Sequence, residues 1–354
     1  MRTADVRVRR AIAAVAAGRP VVVTDGTGSD HVGYVVFAAA CATAELMAFT
    51  VRHTSGYVRV ALPESECDRL NLPPMCARSS TQRVTVDARG TGTGISAADR
   101  ARTIAALASP SAQSADFRRP GHVVPVLATE HGVLRRPEIA EAAADLARLA
   151  GRREAGVFCE IVSRATPTEL AAGDDAVAFS EDYGLQIVSI GELADYRRRT
   201  ERQVVRVAEA VMPIRGADAR TIGFRSVVDG AEHVAVVVGA TGADEPVTLH
   251  VHVECLTGDV FGGLACHCGR TLDTALATMA ARGGGVLVYL RPTVSPHACG
   301  LFAGADRPVG DSLSDTVAWI LRDLGVTPVR LSDDTPDWGL VMFGAILDRR
   351  AVAA

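Results

Sequence analysis

Three thiols crowd one short stretch. ECLTGDVFGGLACHCG, residues 254–269, holds Cys255, Cys266 and Cys268 in the spacing Cys-x10-Cys-x-Cys. Thiolates are soft ligands that suit zinc, at about 2.3 Å each. Cys266 and Cys268 alternate along an extended or turning segment, so both can face one point, and the glycine-rich TGDVFGGLA lets the chain fold back to bring Cys255 in. Three protein ligands leave one position open. There a zinc-bound water falls to a pKa of about 7 and becomes a hydroxide nucleophile. The alternative is a closed site with His267 or His252 as fourth ligand. His250, His252 and His267 could also act as acid/base groups beside an open metal. The other five cysteines, Cys41, Cys67, Cys76, Cys159 and Cys299, stand singly and are expected to be small buried hydrophobes.

These thiols need a frame. RPVVVTDG, YVRVALP, HVVPVLA, AGVFCEIV and LQIVSI read as strands, and QRVTVDA alternates as a half-buried strand does. Between them ATAELMAFTVRHTSG, ESECDRLNL, SAADRARTIAALA, IAEAAADLARLAG and ELADYRRRTERQ read as helices. Ser96 is placed as an N-cap, with Asp99 completing a loose capping box. The N-terminal twenty residues read as an amphipathic helix with Val6, Ile12 and Val15 inward, not as a signal peptide. After the Arg-rich stretch 197–220 come strands in RTIGFRSVVDG, HVAVVVGA and PVTLHVHV, then the thiols. The helix RTLDTALATMAARGGG, the strand GVLVYLRP, the helix DSLSDTVAWILRDLGV and the strand PVRLS follow. The expectation is an α/β (α+β) chain of two domains, 1–200 and 201–354, the first with a mixed sheet.

With 354 residues the chain is too long for one typical core. A net charge of -4 gives no polyanion-binding signature, so nucleic acid is not an expected partner. No apolar run reaches membrane-spanning length, and a cytoplasmic protein is expected.

The segment HVHVECLTGDVFGGLACHCGRTLDTAL, with GGGVLVYLR, closely resembles the zinc-binding part of GTP cyclohydrolase II. The first 200 residues resemble 3,4-dihydroxy-2-butanone 4-phosphate (DHBP) synthase. RHTSGYV, LNLPPM, TVDARGTGTGISAADRA, RRPGHVVPVLA, GVLRR, AEAAADLARLAG and AGVFCEI carry that likeness. Their order is that of the fused bifunctional riboflavin-biosynthesis family. The resemblance implies zinc on Cys255, Cys266 and Cys268, with GTP opened at its imidazole ring. It also implies magnesium-dependent conversion of ribulose 5-phosphate to dihydroxybutanone phosphate, and a homodimer.

Carried over residue by residue, the resemblance is uneven. In the second half His250, His252, Glu254 and Arg291 fall at substrate positions, but the family's Arg-Val-His-Ser-Glu reads His250-Val251-His252-Val253-Glu254. The family's Gln-Glu-Gly-Arg-Gly-Ile-Gly-Leu, which reads guanine and grips phosphate, gives way to Pro292-Thr293-Val294-Ser295-Pro296. Of the Asp-x-Arg pair that should follow, Asp311 is the remaining candidate. In the first half Glu160 matches the catalytic acid, while Asp30, Thr93, His122, Arg136 and Glu141 fall at substrate positions. Asp30 replaces a metal-binding Glu, and Ile139 replaces the magnesium-binding His. An aliphatic side chain cannot ligate magnesium, so that site is impaired.

Three readings follow: an active riboflavin-pathway enzyme, a degenerate zinc-binding paralogue with a regulatory or assembly role, and a zinc hydrolase repurposed to another substrate. Removing one charge-stabilising donor costs about 10²–10³ in rate. Several are missing together, so loss of the synthase activity and of GTP turnover is expected, with zinc binding retained.

Overall fold

The computed structural model describes residues 2–26, 31–76, 81–214, 217–239, 246–264, 266–291, 298–301, 311–326 and 329–332, with backbone alone at 217, 311 and 312. The chain divides into two compact units, Met1–Arg197 and Arg198–Ala354.

In the first unit the elements are α1 (Thr3–Ala16), β1 (Val21–Thr24), β2 (Gly33–Ala38), α2 (Ala44–His53), β3 (Arg59–Pro63), α3 (Glu64–Arg69) and β4 (Val86–Ala88). Then come α4 (Ala97–Leu107), β5 (Phe117–Ala128), α5 (Ile139–Leu149), β6 (Gly156–Glu160), α6 (Asp174–Asp182), β7 (Ile187–Ser189) and α7 (Ile190–Thr200). The strands form one sheet in the order β4-β5-β3-β6-β2-β1-β7. It is mixed, with β3/β5 and β1/β7 parallel and the other pairs antiparallel.

Both faces of this sheet are buried, which is why its strands are nearly continuous apolar runs. Val35, Val60 and Val157 point to one core with Met47, Ile104 and Phe179 from the helices. Val21, Val36 and Phe158 point to the other, with Val8, Leu146 and Leu193. Helix α5 lies so close to β6 that a Cβ at Gly156 would stand 2.2 Å from the backbone of Ala143.

Several expectations are corrected. The buried face of α1 is Val8, Ala11, Ala14 and Val15, so Val15 is inward while Val6 and Ile12 are half-buried. In QRVTVDA only Val86–Ala88 is strand, while Gln82 and Arg83 make isolated bridges to Val126 and Pro74. Ser96 does cap α4, accepting from the Asp99 amide at 3.0 Å. Asp99, however, does not close a capping box; its carboxylate accepts from the amides of Gly92 and Gly94.

The second unit contains β8 (Val204–Ile214), β9 (Ala217–Ser226), β10 (Glu232–Gly239), β11 (Val247–Val253), α8 (Cys268–Arg282), β12 (Gly284–Leu290), α9 (Asp311–Leu324) and β13 (Val329–Leu331). The sheet order is β13-β11-β12-β10-β9-β8. β13, β11 and β12 run parallel, and the remainder antiparallel. Alternation sorts the faces. Leu249, Val251, Val286 and Val288 meet Val317, Ile320 and Leu321 of α9, while Val236 and Leu287 meet Ala275 and Met279 of α8. Among the described residues no helix is long and apolar enough to cross a membrane.

Candidate metal centre and acid-base site

The period of two in HVHV decides where the histidines go. Leu249, Val251 and Val253 face α9, so His250 and His252 face the α8 side, next to Tyr289 of the neighbouring β12. The His252 ring stacks on Tyr289 with centroids 5.3 Å apart. At the end of β11 the chain turns sharply through Leu256–Val260, with Cys255 as the residue before the turn. Asp259 folds back in this turn. Its carboxylate accepts from the Cys255 amide at 2.8 Å and the Tyr289 hydroxyl at 2.8 Å, and pairs with His252 Nε2 at 2.9 Å. Burial pushes the Asp259 carboxyl up, but the bond to His252 and the others outweigh it and hold the group below its ordinary value.

Opposite this turn, Cys266 precedes α8 and Cys268 begins it. A Cβ on Gly258 would stand 2.9 Å from Cys266 Sγ and 3.0 Å from Cys268 Cβ, so only glycine lets the two segments meet. The thiols of Cys255, Cys266, Cys268 and Cys299 all lie within 4.8 Å of one another. Cys255–Cys266 and Cys268–Cys299 are each 3.8 Å apart between sulfurs. The edge of a tetrahedron built on zinc–sulfur bonds of about 2.3 Å is about 3.8 Å. Burial pushes the Cys255 thiol up, but hydrogen bonds from Thr257, Cys299 and the Gly258 amide pull it down to about 7. Burial first, then the Cys255 sulfur, pushes Cys299 up to about 12, and Cys268 is raised as well. Four thiols this close cannot share negative charge without a cation, and a soft divalent ion is what the donor set fits.

Cys299 is therefore not one of the small buried hydrophobes. Of the other single cysteines, Cys67 and Cys159 are buried, Cys41 is half-buried and Cys76 is exposed. Neither histidine offered as a fourth ligand is in the cluster, which the four thiols make up among the described residues; His252 instead pairs with Asp259, and the ring of His267 is bonded to Arg270. His250, expected at a substrate, is instead fully buried with Nδ1 2.9 Å from Ser332 Oγ, and burial lowers it to about 4. Glu254 and Arg291 pair with each other at 3.0 Å on the surface. Asp311 begins α9, and its side chain lies outside the described residues, as do residues 292–297.

In the first unit Glu160 ends β6, directly opposite Tyr34 of β2. It is not a solvated strand end. Its side chain is 16% exposed, bonded to the Arg59 guanidinium and, at 3.0 Å, to the Ser55 hydroxyl. Arg59 also lies over the Phe158 ring, 4.4 Å from its centroid. Burial, then the charges of Asp25 and Glu160, raise the Tyr34 hydroxyl. His122 pairs with Asp87 at 2.8 Å, and Gly94, beside the exposed Thr93, presses on that same Asp87. His122 lies two residues before Val124, the register partner of Arg59, so it shares the Glu160 end of the sheet.

Arg136 and Glu141 do not join them. Arg136 binds Glu141, which is fully buried and also accepts from the Thr129 amide, just past the far end of β5. Six residues of strand separate that end from His122, roughly 20 Å. Ile139 packs its side chain against the α1/α5/α7 core. Asp30 lies outside the described residues. Sequence reasoning passed over Arg59 and Asp259, and took Cys299 for a small buried hydrophobe. A polar residue inside the apolar run YVRVALP was the one available signal, for Arg59.

Two α/β units, each a sheet with helices on both faces, one with a cluster of four thiols beside its parallel strands, define the class. The family models for 3,4-dihydroxy-2-butanone 4-phosphate synthase and GTP cyclohydrolase II match residues 9–196 and 205–299. The chain is 46% identical to the riboflavin biosynthesis protein RibBA of Rhodococcus jostii, over 93% of this chain and 86% of that one. Against RibBA of Salinispora tropica it is 46% identical, covering 93% and 88%. Among solved structures it resembles RibBX, a two-domain 3,4-dihydroxy-2-butanone 4-phosphate synthase from A. baumannii, with TM-score 0.72, 29% identity and coverage of 95% and 96%. A 3,4-dihydroxy-2-butanone 4-phosphate synthase with two magnesium ions matches with TM-score 0.52 and 37% identity, over 55% of this chain and 97% of that one. The chain belongs to the riboflavin-biosynthesis family that joins these two domains.

Proposed function

We propose that this chain is a zinc-binding member of the family that carries out neither family reaction and serves a binding or assembly role. Residues 1–200 form the synthase-like domain and 201–354 the cyclohydrolase-like one. The observation that carries the reading is the Arg59–Glu160 pair. Glu160, the catalytic acid by resemblance, has both carboxylate oxygens engaged within the unit, one by the Arg59 guanidinium and the other by the Ser55 hydroxyl. The missing magnesium ligand at Ile139 and the inward turn of His250 support the same conclusion. Zinc is held by the thiol cluster. The chain is read as a homodimer, as the resemblance implies, and as a cytoplasmic protein.

The test uses the full chain, purified with zinc. Incubation with GTP and magnesium, and separately with ribulose 5-phosphate and magnesium, is followed by formate release. The expected result is no formate above buffer from either. The identity to RibBA proteins favours a second reading, in which GTP opening survives. Formate from GTP that disappears in Cys266→Ser would establish that reading instead.

A further inference from the structure

We propose that Cys299 is the fourth protein ligand of the zinc ion, making a closed four-thiolate centre that fastens the fold and has no position for water. The inference deepens the zinc-binding reading above and rests on it. Four segments supply the sulfurs: the end of β11 for Cys255, the stretch before α8 for Cys266, the first residue of α8 for Cys268 and the turn 298–301 for Cys299.

Two contacts unconnected with the sulfurs fix Cys299. The Thr257 hydroxyl donates to the Cys299 carbonyl at 3.0 Å, so the turn that carries Cys255 also holds the backbone of Cys299. Ala298 beside it is fully buried, and its carbonyl accepts from the Leu301 amide at 3.1 Å, closing a turn. The Cys299 sulfur then stands 3.8 Å from that of Cys268, as Cys266 stands from Cys255. Structural zinc sites are four-coordinate and closed, whereas catalytic ones keep a position for water. Four thiolates around a divalent ion leave two negative charges. The N-terminus of the fifteen-residue α8 and the Gly258 amide, which points at Cys255 Sγ from 3.4 Å, offset part of that charge.

Zinc K-edge absorption on the full-length wild-type protein reads the shell directly. Four sulfurs at about 2.3 Å are expected. Three sulfurs and one oxygen at about 2.0–2.2 Å would overturn the proposal and leave zinc binding intact. Protein purified from zinc-supplemented culture without zinc would overturn both readings. Cys299→Ser, loaded with cobalt(II), adds an independent measure. The sulfur-to-cobalt charge-transfer band is expected to fall by roughly a quarter, one thiolate in four, and zinc affinity by more than about tenfold. An unchanged band with unchanged affinity would refute the assignment of Cys299.

Discussion

Asp259 shows how much one side chain organises. Its two oxygens meet the Cys255 amide, the His252 ring and the Tyr289 hydroxyl, and so aim the first thiol at the other three. Outer-shell partners of this kind are worth about 10–100-fold in metal affinity. Asp259→Ala is therefore expected to weaken zinc binding by that factor, measured by competition with a chromogenic chelator, while Asp259→Asn, which keeps an acceptor, loses less. In the sequence Asp259 is one acid in a Thr-Gly-Asp turn. Its role depends on β12 lying beside β11 in the register that sets Tyr289 against His252, which no local pattern encodes. Arg59 is similar: its position in a strand was legible, and its bond to a residue 101 positions away was not.

At the scale of elements, most helices and strands were legible because their apolar periods agree with their faces. The misses are β2, α6 and β8. β8 is the edge strand of its sheet and exposed along nearly its whole length, so it carries no buried period to read. The inner strands have a consequence for pH. His233 of β10 and His250 of β11 are buried, and burial, the largest cause in each, lowers both to about 4. Asp229 partly opposes the shift at His233, while Arg291 there and His252 at His250 add to it. In the unfolded chain both titrate near 6.5. As the pH falls the unfolded state takes up protons first, so stability is full above about 6.5 and is lost progressively down to about 4. Up to about 3 kcal/mol per ring is at stake. Trp319 of α9 packs against the core of the second unit, so urea unfolding followed by tryptophan fluorescence reports on that unit. A clearly lower midpoint at pH 5 than at pH 7.5 is expected, with roughly half the difference gone in His250→Gln.

At the scale of the molecule, each unit has its own cores, and the thiol centre belongs to the second. A ligand that binds only the folded state adds stability by mass action, about 4 kcal/mol at a thousand times its dissociation constant. For a unit of this size each kcal/mol moves the midpoint by about 2–4 °C. Removing zinc with EDTA is expected to lower the tryptophan-reported thermal transition by about 10 °C, reversed by zinc. A transition indifferent to EDTA would mean that the centre does not brace this unit.

The family, the two-part α/β organisation and three of the four thiols were legible along the chain, because each is written in contiguous motifs or short spacings. Which groups meet was settled by the folding of whole elements onto one another. Cys299 lies 31 residues beyond Cys268 with no spacing signal, and reaches the cluster because β12 carries the chain back beside β11. Glu160 and Arg136, both retained in their motifs, fall at opposite ends of one sheet, because β5 runs its full length between them. Spacing along a chain specifies neighbours within a turn or a strand. Contacts across a sheet depend on register, and register is set by the packing of whole faces.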